Sequence, residues 1–314
     1  MISIGTDINI NPDIDLLKPQ VKGNIAVIPL KTEKNYIDVL TLKKGLKLGL
    51  VEVKECDTSE VNTLIVKNRA VTPLILVDGE EVVGGDQNRI INSTVLVDAQ
   101  SEMEVSVSCS EKNRWSYKNK FKSSEYIANS QTRLAKEIAS RDSAYFQDTV
   151  WSSIDMLEDR TSFSSPTKAM KESYENLKID HSEVIKTFNI IDGQNGVLVI
   201  INGEIKGFEI FLNSNIYKTF HEKIIKSYII DCEIKKEEYN INVAAAQDVI
   251  NKAYDSSFDK KQNIGLEETF TFENENGLGT LYIYKDNILH WSYFKKSSNS
   301  VLDESINQAV DIKN

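Results

Sequence analysis

The chain is short of the residues that make a protein fibrous, disulfide-stapled or membrane-spanning. Its 14 glycines and 5 prolines in 314 residues exclude collagen-like and low-complexity composition. The three cysteines, Cys56, Cys109 and Cys232, are odd in number, far apart and outside any C-x-x-C pair, so no disulfide framework is expected and a reducing compartment suits them. The longest apolar run, Val197 to Ile201, falls far short of the roughly 20 residues that cross a bilayer. The opening MISIGTDINI has no basic region followed by an apolar core, so no secretory signal and a cytoplasmic location are expected. Positive charge is scarce too: Lys plus Arg 37 against Asp plus Glu 47 leaves a net charge of -10. That balance opposes binding of nucleic acid or an anionic membrane through bulk charge, and any anionic partner must be met by a local patch.

What remains is a globular composition, 40% hydrophobic and 27% charged, long enough to bury a full core. Asn24 to Leu30 is an apolar, β-branched run that reads as a first strand. Tyr36 to Leu46 places Val39, Leu42 and Leu46 on one helical face, with Gly49 as the stop. Runs at 50 to 56, 62 to 68 and 73 to 78 recur at the spacing of a meander or sandwich. Asp78-Gly79 between LILV and EEVV predicts a two-residue hairpin. Ile90 to Val97 and Met103 to Cys109 read as two further strands, the second alternating with Met103, Val105, Val107 and Cys109 on a buried face.

Residues 118 to 180 are polar, rich in Ser and Lys and without β alternation, which predicts a helical insertion or arm. Phe146, Val150, Ile154 and Leu157 form a helical stripe there, a second helix is expected near Ser130 to Ile138, and TSFSSPT at 161 to 167 marks a loop. Strands resume with FNIID at 188 to 192, GVLVIING and EIKGFEIFL, the last two joined by a hairpin at Asn202-Gly203. Helices are predicted over Ser214 to Ile230, capped by Ser214, and over Val243 to Tyr254. Three strands then end the ordered chain, the last two joined around Asp286-Asn287.

The class is therefore α+β, mostly antiparallel sheet of meander or sandwich type, with a helical insertion and two helices in the C-terminal half. The organisation is a β-rich part at 1–117, the insertion at 118–180, an α+β part at 181–295 that completes the first domain or forms a second, and a polar tail at 296–314. Exposed hairpins and the helical arm leave room for a homo-oligomer, although no stripe singles out an interface.

Turn glycines, amides, arginines, carboxylates and a tryptophan crowd together at Asp78 to Tyr117. Gln87, Asn88 and Asn92 supply amides, and Arg89 a five-donor fork suited to phosphate or carboxylate. Lys112, Arg114, Lys118, Lys120 and Lys122 interleave with Trp115, Tyr117 and Phe121, a combination suited to phosphate contact and base stacking or to an exposed connection with solvated lysines. Glu80, Glu81, Glu111 and Glu209 are candidates for a general base or a divalent metal, with Glu111 and Glu209 the preferred catalytic pair. Cys109 reads as a buried structural thiol and His290 as a core or edge histidine. No histidine pair, G-x-S-x-G, P-loop or dinucleotide fingerprint occurs, so neither a metal nor a cofactor is expected.

The Gly-rich turn at Gly84, then Gln87-Asn88-Arg89, Asn92, Ser108-Cys109, Glu111 and Arg114-Trp115 resemble the domain named for its association with ADP-ribosylglycohydrolases and rhodanese/phosphatase-superfamily proteins. The likeness continues through GQNGVLVIINGEIKGFEIF, SYIIDC and LHWSYF, from Ile25 to Phe294. Asp86, where a small or basic residue is usual, and Val105-Ser106, in place of a proline-containing approach, are departures. The resemblance implies a link to NAD and ADP-ribose metabolism and to prokaryotic antiviral conflict, by gene association and without a catalytic mechanism. Three functions follow as expectations: a binding protein for an anionic, nucleotide-like molecule contacted by Gln87, Asn88, Arg89, Asn92, Arg114 and Trp115; an enzyme acting on an ADP-ribose-related molecule; or an interaction module without ligand.

Overall fold

The apolar runs at 25–31 and 196–201 find each other across most of the chain. Ile25 to Leu30 pairs antiparallel with Gly196 to Ile201. The computed structural model describes residues 2–4, 8–10, 13–33, 35–56, 62–142, 146–177, 179–230 and 232–296. The expected polar tail lies outside them from residue 297 on.

In chain order the elements begin with β1 (Ile2–Ile4), β2 (Ile8–Ile10), β3 (Asp15–Leu16), β4 (Gln20–Lys22), β5 (Ile25–Lys31), β6 (Leu40–Thr41), α1 (Leu42–Lys47), β7 (Val51–Glu55), β8 (Thr63–Asn68) and β9 (Leu74–Leu76). They continue with β10 (Glu80–Val83), β11 (Arg89–Ile91), β12 (Val95–Val97), β13 (Ser101–Cys109), β14 (Lys122–Ile127), α2 (Ser130–Asp142), α3 (Phe146–Thr161), α4 (Met170–Glu175) and α5 (Ile179–Thr187). The last part holds β15 (Gly196–Ile201), β16 (Glu204–Phe211), α6 (Ser214–Ile229), α7 (Val243–Tyr254), β17 (Phe258–Lys261), β18 (Glu268–Glu273), β19 (Gly277–Tyr284) and β20 (Asn287–Lys295). The class is α+β, and every strand pair but β6–β9 is antiparallel among the described residues.

A nine-stranded sheet runs β17-β18-β19-β20-β16-β15-β5-β3, with β4 also on β5. Its two faces are both buried at the centre because β5 and β15 alternate between two apolar sets. Ile25, Val27, Val197 and Val199 pack with Phe220, Ile224 and Tyr228 of α6. Ala26, Ile28, Leu198 and Ile200 pack with Ala246, Ile250 and Ala253 of α7 on the other side. That double burial explains why β15 reads as a continuous apolar run. A six-stranded sheet, β14-β10-β11-β13-β8-β7, packs against the three-stranded sheet β12-β9-β6 through Val53, Leu64, Leu74, Leu76, Val82, Ile91, Val95 and Val107. This is the sandwich part.

Several local expectations need correction. Asp78-Gly79 is a tight turn, closed by the Glu80 N–H to the Val77 carbonyl at 2.9 Å, but not a hairpin. β9 pairs with β12 and β6, while β10 pairs with β11 and β14, so the turn carries the chain from one sheet to another. Ile90 to Val97 likewise splits into β11 and β12 in different sheets, so the chain crosses back at Asn92 to Thr94. The helix foreseen at 36–46 begins only at Leu42, because Leu40 pairs with Leu74 and its N–H reaches the Pro73 carbonyl at 2.8 Å. Residues 122–127, read as part of a helical arm, form edge strand β14 on β10, its serines hiding the alternation. FNIID makes no strand, and Asn213, not Ser214, caps α6 by accepting from the N–H groups of Asn215 and Ile216. Asn202-Gly203 is a true hairpin, with φ of 54° and 77° and Ile201 opposite Glu204.

Gly79 serves the sheet crossing twice over. Its φ is 77°, and a Cβ there would stand 2.9 Å from the Arg133 Cδ. Gly49 has a similar φ of 69° with open space around it. We expect Gly49→Ala to cost about 1 kcal/mol, the left-handed strain alone, and Gly79→Ala to cost clearly more in urea unfolding. Equal losses would show that the Arg133 contact is unimportant.

Candidate functional site

The motif residues of 84–116 fold into a self-satisfied strap. Gly84 has a φ of 133°, and a Cβ would lie 2.8 Å from the Lys120 carbonyl oxygen, so only glycine lets this loop lie against the 114–120 segment. Arg114 closes it. Its guanidinium donates to the carbonyls of Gly84, Gly85, Asp86 and Ser116, to Asn88 Oδ1 at 3.1 Å and to Glu111 Oε2 at 2.7–2.8 Å. Glu111 Oε1 accepts from Thr167 Oγ1 at 2.9 Å. Burial pushes the Glu111 pKa up, but Arg114 and Thr167 more than reverse it, leaving it below the usual range.

Gln87 and Arg89 are buried in the same neighbourhood. Gln87 donates to the Glu111 carbonyl at 2.9 Å and accepts from Arg89 Nη1 at 3.1 Å. Arg89 Nη2 lies 3.7 Å from Glu55, and its Nε has no partner. Asn92 stands apart, exchanging hydrogen bonds with Ser106 and Ser108. Trp115 is 59% exposed, and Lys118, Lys120 and Lys122 are exposed as well. The structure thus gathers Gln87, Asn88, Arg89, Glu111 and Arg114 and leaves Asn92, Trp115 and Glu209 elsewhere. Cys109 and His290 are buried, with the Cys109 thiol pushed up by burial.

Glu209 belongs to a buried ion network at the junction of the sheets. Arg133 of α2 donates to both Glu209 oxygens, at 2.6 and 2.9 Å, and through Nε to Asp78 at 3.1 Å. Lys136, one turn on, donates to Asp78 at 2.6 Å and to the Ile91 carbonyl at 3.0 Å. His290 of β20 lies 3.2 Å from Glu209 through Nε2 and 2.8 Å from Thr94 Oγ1 through Nδ1. A carboxylate only accepts, so Nε2 carries the proton and the Thr94 hydroxyl donates to Nδ1. Burial lowers the His290 pKa, which keeps the ring neutral. Two anions and two cations are then balanced. Burial alone would raise the Glu209 pKa, but Arg133 and His290 bring it down to about 2.

Two further carboxylates of the stretch are buried. Glu80 faces Lys223 of α6 at 3.5 Å, with burial raising its pKa. Glu81 is raised by burial to about 7, only partly offset by the hydroxyls of Ser124 and Ser110.

Glu80 backs a groove that motif reading missed. Lys43 of α1 and Lys218, Lys223 and Lys226 of α6 line a space of about 310 Å³ with Glu125, Thr219 and Glu222. Lys43 pairs with Glu125 at 2.6 Å and Lys226 with Glu222 at 2.7 Å. Lys223 is 2% exposed and touches Glu80 and Ser123 only at 3.4–3.5 Å. The signal was present in the sequence: Lys218, Glu222 and Lys226 recur every fourth residue on one helical face.

Breaking the network from one side leaves a buried charge, so Glu209→Gln should cost about 3–5 kcal/mol in urea unfolding. Arg133→Met with Glu209→Leu removes both partners and should cost less than that single change. A depressed carboxylate stabilises the fold above its unfolded pKa near 4.5, and this stability should be lost as pH falls from there towards about 2. Glu81 has the opposite sign. Its raised pKa makes the fold lose stability as pH rises from about 4.5 through about 7, and Glu81→Gln should remove that slope from thermal melts recorded at pH 5 and pH 8.

No curated protein and no solved structure matches the chain, and no helix among the described residues is long and apolar enough to cross a membrane. A family model described as the ARG and Rhodanese-Phosphatase-superfamily-associated Protein domain, ARPP-1, matches residues 13–294. The match spans the nine-, six- and three-stranded sheets, the helical segment and the whole Gly84–Trp115 strap, and the chain belongs to that family.

Proposed function

We propose that the protein binds a small, phosphate-bearing molecule of nucleotide type and retains it unchanged. One observation carries this reading. In a chain of net charge -10, four lysines from two helices surround one groove whose described lining holds two carboxylates, Glu125 and Glu222, with Glu80 behind Lys223 as a third. The surplus is local, as an acidic protein requires if it is to meet an anion. Lys223 is also poorly satisfied: an ammonium has three donors, and its contacts are at the long limit of hydrogen bonding. A phosphate oxygen offers the short, charge-assisted bonds it lacks.

The family name fits an ADP-ribose-related association, and the proposed ligand is of that kind, in a setting of NAD metabolism or phage defence. Retention is favoured over turnover because Glu111 and Glu209, the two carboxylates preferred as catalytic from the sequence, are engaged. Glu111 is clamped by Arg114, and Glu209 is buried under Arg133; an ion-paired carboxylate of lowered pKa is a weak base. In this reading Gln87, Asn88, Arg89, Glu111 and Arg114 hold the scaffold, Asn92 ties β11 to β13, and exposed Trp115 is available to stack on a base.

Titration calorimetry of the full chain with ADP, ADP-ribose, NAD and pyrophosphate is the test, followed by mass analysis of the recovered ligand. Binding should weaken as salt rises, and Lys218→Ala and Lys223→Met should each raise Kd by about tenfold. An unchanged ligand mass supports retention. A new mass returns the enzymatic reading, and the absence of binding to any of the four favours an interaction module.

A further inference from the structure

The helical segment encloses a second cavity, of about 310 Å³, between the end of α3, α4, α5 and the chain leaving α6. Two of its lining side chains are buried and carry polar atoms with no partner in the fold. Ser173 of α4 is 2% exposed and its Oγ is unbonded; His181 of α5 is 6% exposed and its Nδ1 is unbonded. Such atoms are costly to bury unless something else completes them.

The chemistry of the missing partner can be read from the two atoms. His181 Nε2 lies 2.9 Å from the Cys232 carbonyl. A carbonyl only accepts, so Nε2 holds a proton, and a ring that carries just that one proton presents a lone pair at Nδ1 to the cavity. Such a lone pair is completed by a donor, which an ionised carboxylate or phosphate does not supply. Ser173 both donates and accepts, and a hydroxyl is the simplest group that suits both atoms. The remaining walls argue the same way. Among the described lining residues Arg160 and Glu233 balance in charge, so these walls single out neither a cation nor an anion. Leu177, Ile230 and Ile234 offer an apolar surface for C–H groups.

We infer that this cavity binds a neutral polyol of pentose or hexose size, one hydroxyl donating to His181 Nδ1 and another bonding Ser173 Oγ, with the C–H face of the ring against Leu177, Ile230 and Ile234. The volume lies at the lower end for small-molecule sites, as a single sugar ring requires. The helical segment then has a task of its own, separate from the lysine groove.

Saturation-transfer NMR on the full chain, with xylose, ribose, glucose, glucose 6-phosphate, glycerol and inorganic phosphate as probes, tests this. The expected result is signal from at least one free sugar, weaker signal from glucose 6-phosphate than from glucose, and none from inorganic phosphate. Ser173→Ala removes a hydroxyl that makes no bond in the fold, so its melting temperature should match the parent while its sugar affinity drops by about three- to tenfold. Ser173→Leu extends an apolar side chain into the cavity and should abolish the signal, and Lys218→Ala should leave it intact. Silence from every sugar means the orphaned atoms are met by water, and the inference fails. It fails equally if phosphate binds and no free sugar does, or if both Ser173 variants bind sugar as the parent does.

Discussion

The salt-bridged cluster of Asp78, Arg133, Glu209, Lys136 and His290 is the constraint on which the rest of the structure depends. It ties together parts that sequence leaves independent: the turn where the chain leaves the small sheet, the second helix, and two adjacent strands of the large sheet. Hydrophobic contact between these layers is non-directional and tolerates sliding. A guanidinium that must reach Asp78 with Nε and both Glu209 oxygens with its two terminal nitrogens does not. The arrangement stabilises only as a set, since burying any one of its charges without its partners is strongly unfavourable. Gly79 belongs to the same constraint, because a side chain there would occupy the Arg133 stem.

The polar residues of the Gly84–Trp115 strap solve a different problem. Two consecutive glycines leave a loop with little side-chain packing of its own and several carbonyls pointing inward. Arg114 collects those carbonyls and pairs with Glu111, so its donors are spent on the fold. The binding capacity proposed for the protein therefore lies outside the strap, where donors are under-used. Lys223 in the groove has only long contacts, and Ser173 and His181 in the helical cavity have atoms with none.

Much of the fold was legible from local pattern. The 25–31 and 196–211 strands, the Asn202-Gly203 hairpin, and the helices at 130, 146, 214 and 243 all sit where periodicity and turn residues place them. Asp78-Gly79 carries the same local signal as Asn202-Gly203 yet makes no hairpin. The dipeptide specifies the backbone of the turn, while the pairing of the flanking strands is set by separate partners, β12 and β6 on either side of β9 and β11 and β14 on either side of β10. β14 escaped notice for a related reason. An edge strand needs only every third or second residue buried, and Phe121, Ser124 and Ile127 do not look like a β pattern in a run of lysines and serines.

The site divides along the same line. Residue chemistry by itself determined that the 78–117 stretch is dense in groups that must be hydrogen-bonded, that Cys109 belongs to a buried face, and that an acidic chain needs a local patch to meet an anion. Tertiary structure alone decided which groups are spent and which are available. Arg114 and Lys223 both read as cations near polar residues. One lies within reach of five oxygens from its own loop and a carboxylate from its own turn, and the other reaches its nearest partners only at the limit of bonding distance. Sequence states the donors each side chain owns, but the acceptors that use them come from segments up to about a hundred residues or more away, and only folding brings those within about 3 Å.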